Sequence, residues 1–264
     1  MSWKHVTIER RGRVAVVRFD RQDGRNAMSR ALMRELFEAA RSFEEDDETS
    51  AIVLTGAADV FTMGFDLRDP SLPKFATAGL SERRRSVQIG PRLCRAWEDL
   101  APFTIVAIEG YCIGGGMALS VACDFRVCGA NATLYVPEIN RGMNMSWQSL
   151  PRFVNLVGPA RAKQIVILAE KIAAEQALAW GLVQEVVPAG TALDRALALA
   201  ERAAAMPPLP VRMTKQAINA AATALNHSAS YMDADQYVLC QTGEDFKEGV
   251  AAFLEKRPPR FTGR

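Results

Sequence analysis

The sequence predicts an α/β fold: a mostly parallel sheet covered by helices, followed by a C-terminal helical subdomain. Three observations predict it. Over the first two-thirds of the chain, β-branched apolar runs alternate with segments whose apolar residues recur at helical spacing. The runs themselves, such as Ala51-Ile52-Val53-Leu54-Thr55, are almost continuously apolar, as strands covered on both faces are. After Gly190 only alanine-rich helical patterns remain.

Each element has its own justification. Val14 to Phe19 is a β-branched strand ending in a polar Asp20–Asn26 turn. Ser29 then caps a helix whose buried face carries Leu32, Leu36, Ala39, Ala40 and Phe43. Ala51–Thr55 is a second strand, closed by Gly56. Residues 68–80 contain Pro70, Pro73 and Gly79 and read as a loop. A helix bearing Val87, Cys94, Trp97 and Leu100 follows. Phe103–Ile108 is a strand, Gly115–Cys123 a helix and Phe125–Val127 a short strand. Pro159 opens a helix over 160–170, Ala173–Trp180 is another stopped by Gly181, and Leu182–Val187 is the last strand. The helical tail is broken at Pro207-Pro208-Leu209-Pro210 and resumes to Lys256.

Composition narrows the function classes. The 264 residues fit one large domain, or a domain with an appended part, and can bury a sizeable core. Thirty-two basic side chains against 30 acidic ones leave a net charge of +2, which supplies no field for nucleic acid or an anionic membrane. Five scattered cysteines, with no C-x-x-C pair, fit a reducing compartment. The N-terminal segment reaches Glu9-Arg10-Arg11 before any apolar run long enough for a signal peptide, so a cytoplasmic location is expected. The two histidines, His5 and His227, lie far apart and no G-x-S-x-G elbow precedes them, which disfavours a Ser-His-Asp hydrolase. No zinc motif is present, and no metal site is expected.

Two glycine turns carry the chemical signal. Gly110-Tyr111-Cys112-Ile113-Gly114-Gly115-Gly116 follows a strand and opens a helix, exposing backbone N–H groups where the helix dipole favours negative charge. Neither nucleotide-binding glycine spacing is met, which leaves a phosphate, an oxyanion or a tight packing turn. Phe61-Thr62-Met63-Gly64-Phe65-Asp66 is a second such turn just past a strand. Two turns at the ends of successive strands can converge where open α/β sheets bind ligands. Glu138, alone among apolar neighbours, is either exposed or buried with a raised pKa suited to proton transfer.

Taken in order, these segments resemble the crotonase superfamily of enoyl-CoA hydratases and isomerases. The resemblance rests on Arg25-Asn26-Ala27-Met28, Phe61–Asp66, Ile108–Asp124, Pro137-Glu138-Ile139, Gly142, Ala177–Val183 and residues 252–257. It implies a core of repeated ββα units over residues 1–200 and a helical oligomerisation subdomain over 201–264. It also implies an acyl-CoA thioester as substrate, with coenzyme A entering as part of that substrate and no covalently bound cofactor. By position, the backbone N–H groups of Phe65 and Gly115 would hold the enolate oxygen, and Glu138 would be the general acid/base. Ala27, Met28, Met63, Asp66 and Gly114 would bind substrate, with Ala27 near the adenine end. Phe253 and Lys256 would reach the coenzyme A of a neighbouring subunit in a homotrimer or homohexamer. Phe65, Met117, Met143, Met145 and Trp147 are candidates for an apolar acyl pocket.

The departures matter as much. Hydratases of this family use two glutamates, and Ala118 stands at the first position. Met143-Asn144-Met145-Ser146-Trp147 replaces their glycine-rich run after Gly142. A single carboxylate fits Δ3,Δ2-enoyl-CoA isomerisation or related single-base chemistry. The alternatives are a hydratase with a displaced second acid, from Asp66, Asp69 or Glu82, or a non-catalytic acyl-CoA binder.

Overall fold

In a computed structural model, which describes residues 3–264, the chain opens with an antiparallel hairpin of β1 (Val6–Arg11) and β2 (Val14–Phe19). Gly12 turns it with φ of 60°, in the left-handed region that glycine enters without strain. β1 escaped the sequence reading because it is an edge strand with most of its side chains in water. α1 (Arg30–Arg41) begins where the Ser29 side chain accepts from the Leu32 N–H at 3.2 Å. β3 (Ala51–Thr55) then pairs parallel to β2, with Val14 opposite Ala51.

Residues 68–80, expected as a loop, contain the short α2 (Leu72–Thr77), with Pro73 within its first two positions, where its missing N–H costs nothing. The helical run that follows is two helices, α3 (Leu80–Val87) and α4 (Ile89–Glu98), and α4 buries Leu93, Cys94 and Trp97. β4 (Phe103–Ile108) extends the parallel sheet. Next come β5 (Tyr111–Ile113), α5 (Gly115–Ser120), β6 (Phe125–Gly129) and β7 (Thr133–Tyr135). α6 (Ser149–Val166) runs through a break at Gly158, whose φ is 76°, so its second half starts at Pro159 as read from the sequence. β8 (Ile172–Ala173), α7 (Ala174–Ala179), β9 (Glu185–Val187) and α8 (Ala192–Ala204) complete the core.

The main sheet has the order β1-β2-β3-β4-β6-β9, parallel except for β1. One of its faces packs on α1, α4 and α5 in a cluster that includes Phe19, Leu36, Trp97 and Phe153. The other face is covered by α8 through Ala192, Ala196, Leu197 and Ala200. The small side chains of α8 let its backbone lie close to the sheet.

A second sheet, β5-β7-β8, stands apart from the first. The C-terminal part is a chain of four helices: α9 (Pro208–Thr223), α10 (Asn226–Ser230), α11 (Asp233–Cys240) and α12 (Glu244–Glu255). α9 is tethered by Lys215, whose ammonium is buried between Asp124 (2.7 Å) and the Pro102 carbonyl (2.8 Å). No helix of the described residues is long and apolar enough to cross a membrane.

Candidate active site

The site is assembled by parallel pairing in the small sheet. β5 pairs with β7, Cys112 opposite Leu134, and on its other side Thr62 bridges Cys112 in the same parallel sense. The Thr62 N–H donates to the Tyr111 carbonyl at 2.8 Å, and the Ile113 N–H donates to the Thr62 carbonyl at 3.1 Å. Three chain segments therefore run side by side and end together. Phe65 lies three residues beyond Thr62, and Gly115 three beyond Cys112. Glu138 lies just beyond β7.

The turns themselves need glycine. Gly64 has φ of 84° and a Cβ there would lie 2.9 Å from the Ile113 carbonyl oxygen. Gly114 has φ of 53° and a Cβ there would lie 2.5 Å from Glu138 Oε1. Among the described residues, the N–H groups of Phe65 and Gly115 have no hydrogen-bond acceptor. Two unused donors thus border the same cleft, an arrangement that suits an oxygen that gains negative charge.

Glu138 opens a single 3-10 turn (Glu138–Arg141) that ends at Gly142. Its Oε2 is buried with no hydrogen-bond partner among the described residues. Burial pushes its carboxyl up to about 7, against the opposing pull of the Arg141 guanidinium. A carboxyl held there has both protonation states accessible near neutrality. The turn is backed by α12. A Cβ on Gly142 would lie 2.6 Å from the Asp245 carbonyl carbon, and one on Gly249 would lie 2.5 Å from that of Arg141. The two backbones touch because both positions lack a side chain.

Trp147 shapes the wall opposite. Trp147 and Gln148 both have positive φ, 63° and 57°, and α11 pins this strained pair. Asp233 Oδ2 accepts from the Gln148 N–H at 2.6 Å, and the Asp233 carbonyl accepts from Asn144 Nδ2 at 3.1 Å. The indole packs against two glycines, Gly90 of α4 and Gly115, whose Cβ would stand 2.6 Å from Cη2.

Phe65, Gly115, Glu138 and Trp147 line one cleft of about 810 Å³. Of the sequence candidates, Ala27, Met63, Phe65, Asp66, Gly114, Gly115, Glu138, Met143, Met145, Trp147, Phe253 and Lys256 all border it. Met28 and Met117 do not. Both are fully buried in the core, Met28 because its backbone pairs with Phe65 and turns its side chain inward, Met117 because it lies on the inner face of α5. Ala118 is likewise wholly enclosed and off the cleft wall.

Two of the candidate second acids also lie off the wall. Asp69 is buried, and its oxygens accept from the Arg30 N–H and from the Ser71 N–H and hydroxyl, which hold its pKa down despite burial. Glu82 belongs to α3, which buries none of its residues. Asp66 is on the wall but is ion-paired to Arg21 at 2.6 Å, and it accepts from the Arg68 N–H.

Phe253 and Lys256, expected to reach a neighbouring subunit, border this chain's own cleft, because the contact of α12 with the Glu138 turn folds them back. The Arg141 guanidinium sits 4.2 Å from the Phe253 ring centre.

Sequence reasoning missed Arg30, Arg141 and Tyr237, which also line the cleft. Burial pushes the Tyr237 phenol up to about 12, with a smaller push from Glu138 and an opposing pull from Arg30. No local sequence signal marks them, because each is one polar residue among several on its helix or turn.

The family model for enoyl-CoA hydratase/isomerase matches residues 9–264. The chain belongs to this family, within the crotonase superfamily. Among its relatives, the short-chain-enoyl-CoA hydratase of Clostridium acetobutylicum is 31% identical over 97% of each chain. The 2,3-dehydroadipyl-CoA hydratase of Escherichia coli is 33% identical, covering 98% of this chain and 99% of the relative. Among solved structures, a carnitinyl-CoA hydratase from Mycobacterium avium superposes with a TM-score of 0.86 at 31% identity over the full length of both chains. The family fold, with its C-terminal helices, is thereby established for this chain. So is membership among enzymes that act on coenzyme A thioesters.

Proposed function

We propose that the cleft is the active site for an acyl-CoA thioester, with the N–H groups of Phe65 and Gly115 as an oxyanion hole and Glu138 as the general acid/base. The observation that supports the reading is that two unused backbone donors and a carboxyl raised to about 7 line one cleft. Each such donor is typically worth roughly 2.7–4 kcal/mol to the transition state.

The reaction favoured is Δ3,Δ2-enoyl-CoA isomerisation, or related single-base chemistry. The Glu138 carboxylate takes a proton from C2 of a 3-enoyl thioester. The electrons move onto the thioester oxygen, giving a dienolate held by the two N–H groups. Glu138 then returns the same proton to C4, and the double bond lies between C2 and C3. No water is consumed and no second acid is needed. This fits the enclosed alanine at position 118 and the commitment of Asp66 and Asp69 to other partners.

Hydration is the second reading, favoured by the names of the relatives. It requires an acid that Ala118 does not supply. Incubation with matched 2-enoyl-CoA and 3-enoyl-CoA substrates separates the two. Conversion of the 3-enoyl thioester without water addition is the expected result, and efficient water addition to the 2-enoyl thioester overturns the preference. Binding with no turnover of either would leave an acyl-CoA binder.

Residues 201–264 are read as the oligomerisation part of a homotrimer or homohexamer working in the cytoplasm. Exposed Leu209, Met213 and Ile218 on α9 and the four buried, unpaired cysteines support this. A stable monomer in gel filtration would refute the assembly.

A further inference from the structure

Among the described residues, six cations lining the cleft have no carboxylate within 4.0 Å (Arg25, Arg30, Arg68, Arg141, Lys171 and Lys256), and only Arg30 and Arg141 of these also bury an Nε without an acceptor. Arg30, the first residue of α1, donates from Nη1 to the Ser86 carbonyl at 3.0 Å and to the Ser86 hydroxyl, and its Nε is buried without an acceptor. Its guanidinium carbon lies 4.9 Å from the centre of the Phe75 ring, and that of Arg83 lies 5.4 Å from the same ring. Among the described residues, neither guanidinium has a carboxylate within 4.0 Å. The carboxylate that acts most on Arg30 is Asp69, whose oxygens are taken by the Arg30 backbone N–H and by Ser71.

This end of the cleft is closed by α3 and α11, which Arg84 and Asp235 tie together at 2.6 Å. Tyr237 of α11 borders the cleft here and feels both the Arg30 charge and the Glu138 carboxylate. Arg30, Tyr237 and Glu138 thus line the same cleft. A purely apolar acyl chain would strip water from this guanidinium and give nothing back. A carboxylate would accept from its planar fork of donors.

We propose that Arg30, positioned by Ser86 and bordered by Tyr237, recognises a carboxylate at the far end of the substrate's acyl chain. The inference rests on the acyl-CoA reading of the same cleft.

The test is a matched pair of six-carbon enoyl-CoA thioesters, one ending in a carboxylate and the other in a methyl group. The wild-type enzyme is expected to favour the acid-ended substrate by about 10- to 100-fold in kcat/KM, the range of a charge-assisted hydrogen bond. Arg30→Met should reduce that ratio at least about tenfold, and Arg30→Lys should retain part of it. Equal use of the two substrates by the wild type, or a preference for the methyl-ended one, overturns the proposal whatever the variants do. So does a ratio unmoved in a folded Arg30→Met. If the wild type turns over neither thioester, the enzymatic reading has failed and titration with the saturated pair decides this one. Tighter binding of the acid-ended thioester, lost in Arg30→Met, supports it, and equal binding overturns it.

Discussion

Replacing Glu138 with glutamine should make the protein more stable and less active at once, and the stability gain should depend on pH. Holding a carboxyl at about 7 in place of 4.5 means that burial disfavours its ionised form. At about 1.36 kcal/mol per pH unit, that preference is worth roughly 3 kcal/mol. The sign follows from linkage. Below pH 4.5 the folded and unfolded chains both carry the protonated acid, and the variant and wild type differ only in packing. Between 4.5 and 7 the unfolded chain ionises first, so the wild type loses stability as pH rises. Above 7 it bears the full cost, which glutamine never incurs.

Thermal unfolding of both proteins from pH 5 to pH 8 should therefore show a gap that widens with pH. About 2.5 kcal/mol of the cost is incurred between pH 5 and pH 8, and at 2–4 °C per kcal/mol for a chain of this size the widening is roughly 5–10 °C. Over the same range the wild-type kcat/KM should rise along a limb centred about pH 7, as a general base requires. The variant should lose about 10²- to 10⁴-fold in turnover. A gap that stays constant from pH 5 to pH 8 would show that Glu138 is not desolvated. Full turnover by the variant would remove it from the chemistry.

Other perturbations test the surroundings. Gly115→Ala places a methyl 2.6 Å from the Trp147 indole. It should cost about 1–3 kcal/mol in urea unfolding and lower thioester turnover at least about tenfold, by moving the indole and the oxyanion donor. Ala118→Glu puts a carboxyl in a wholly enclosed position. The expected outcome is a lower melting temperature with no gain in water addition to 2-enoyl-CoA, and a clear gain would show that this position can reach the cleft. Lys215→Met strands the Asp124 carboxylate, which would keep only the Thr104 N–H and hydroxyl. A loss of about 3–5 kcal/mol is expected, recovered in part by adding Asp124→Asn, and an unchanged urea midpoint would refute the tether.

The parts of the fold legible in the sequence were those with a repeating pattern. β2, β3 and β4 are strands of five or six residues with all but one apolar, and α1 announces itself through Ser29 and its apolar stripe. The small sheet was not legible, because three-residue strands such as β5 and β7 are too short to show a period. Yet that sheet brings the site together. The turns were readable for another reason: Gly64 and Gly114 occupy backbone conformations that nearly exclude other residues. Arg30 and Tyr237 left no such mark. A polar residue on a helix next to a cleft looks in sequence like one next to water, and only the packing of α3 and α11 distinguishes them.

The meeting of Gly142 and Gly249 gives the chain's last helix an unexpected job. The turn that carries Glu138 has α12 as its backing, so this carboxyl is supported from behind by residues 244–255. During synthesis both sheets are complete long before that point. A chain stopped short of Gly243 would keep both sheets and the Phe65 and Gly115 N–H groups but lose the support behind Glu138. On the proposed reading, docking of α12 thus ties proton transfer at Glu138 to a segment far from it along the chain.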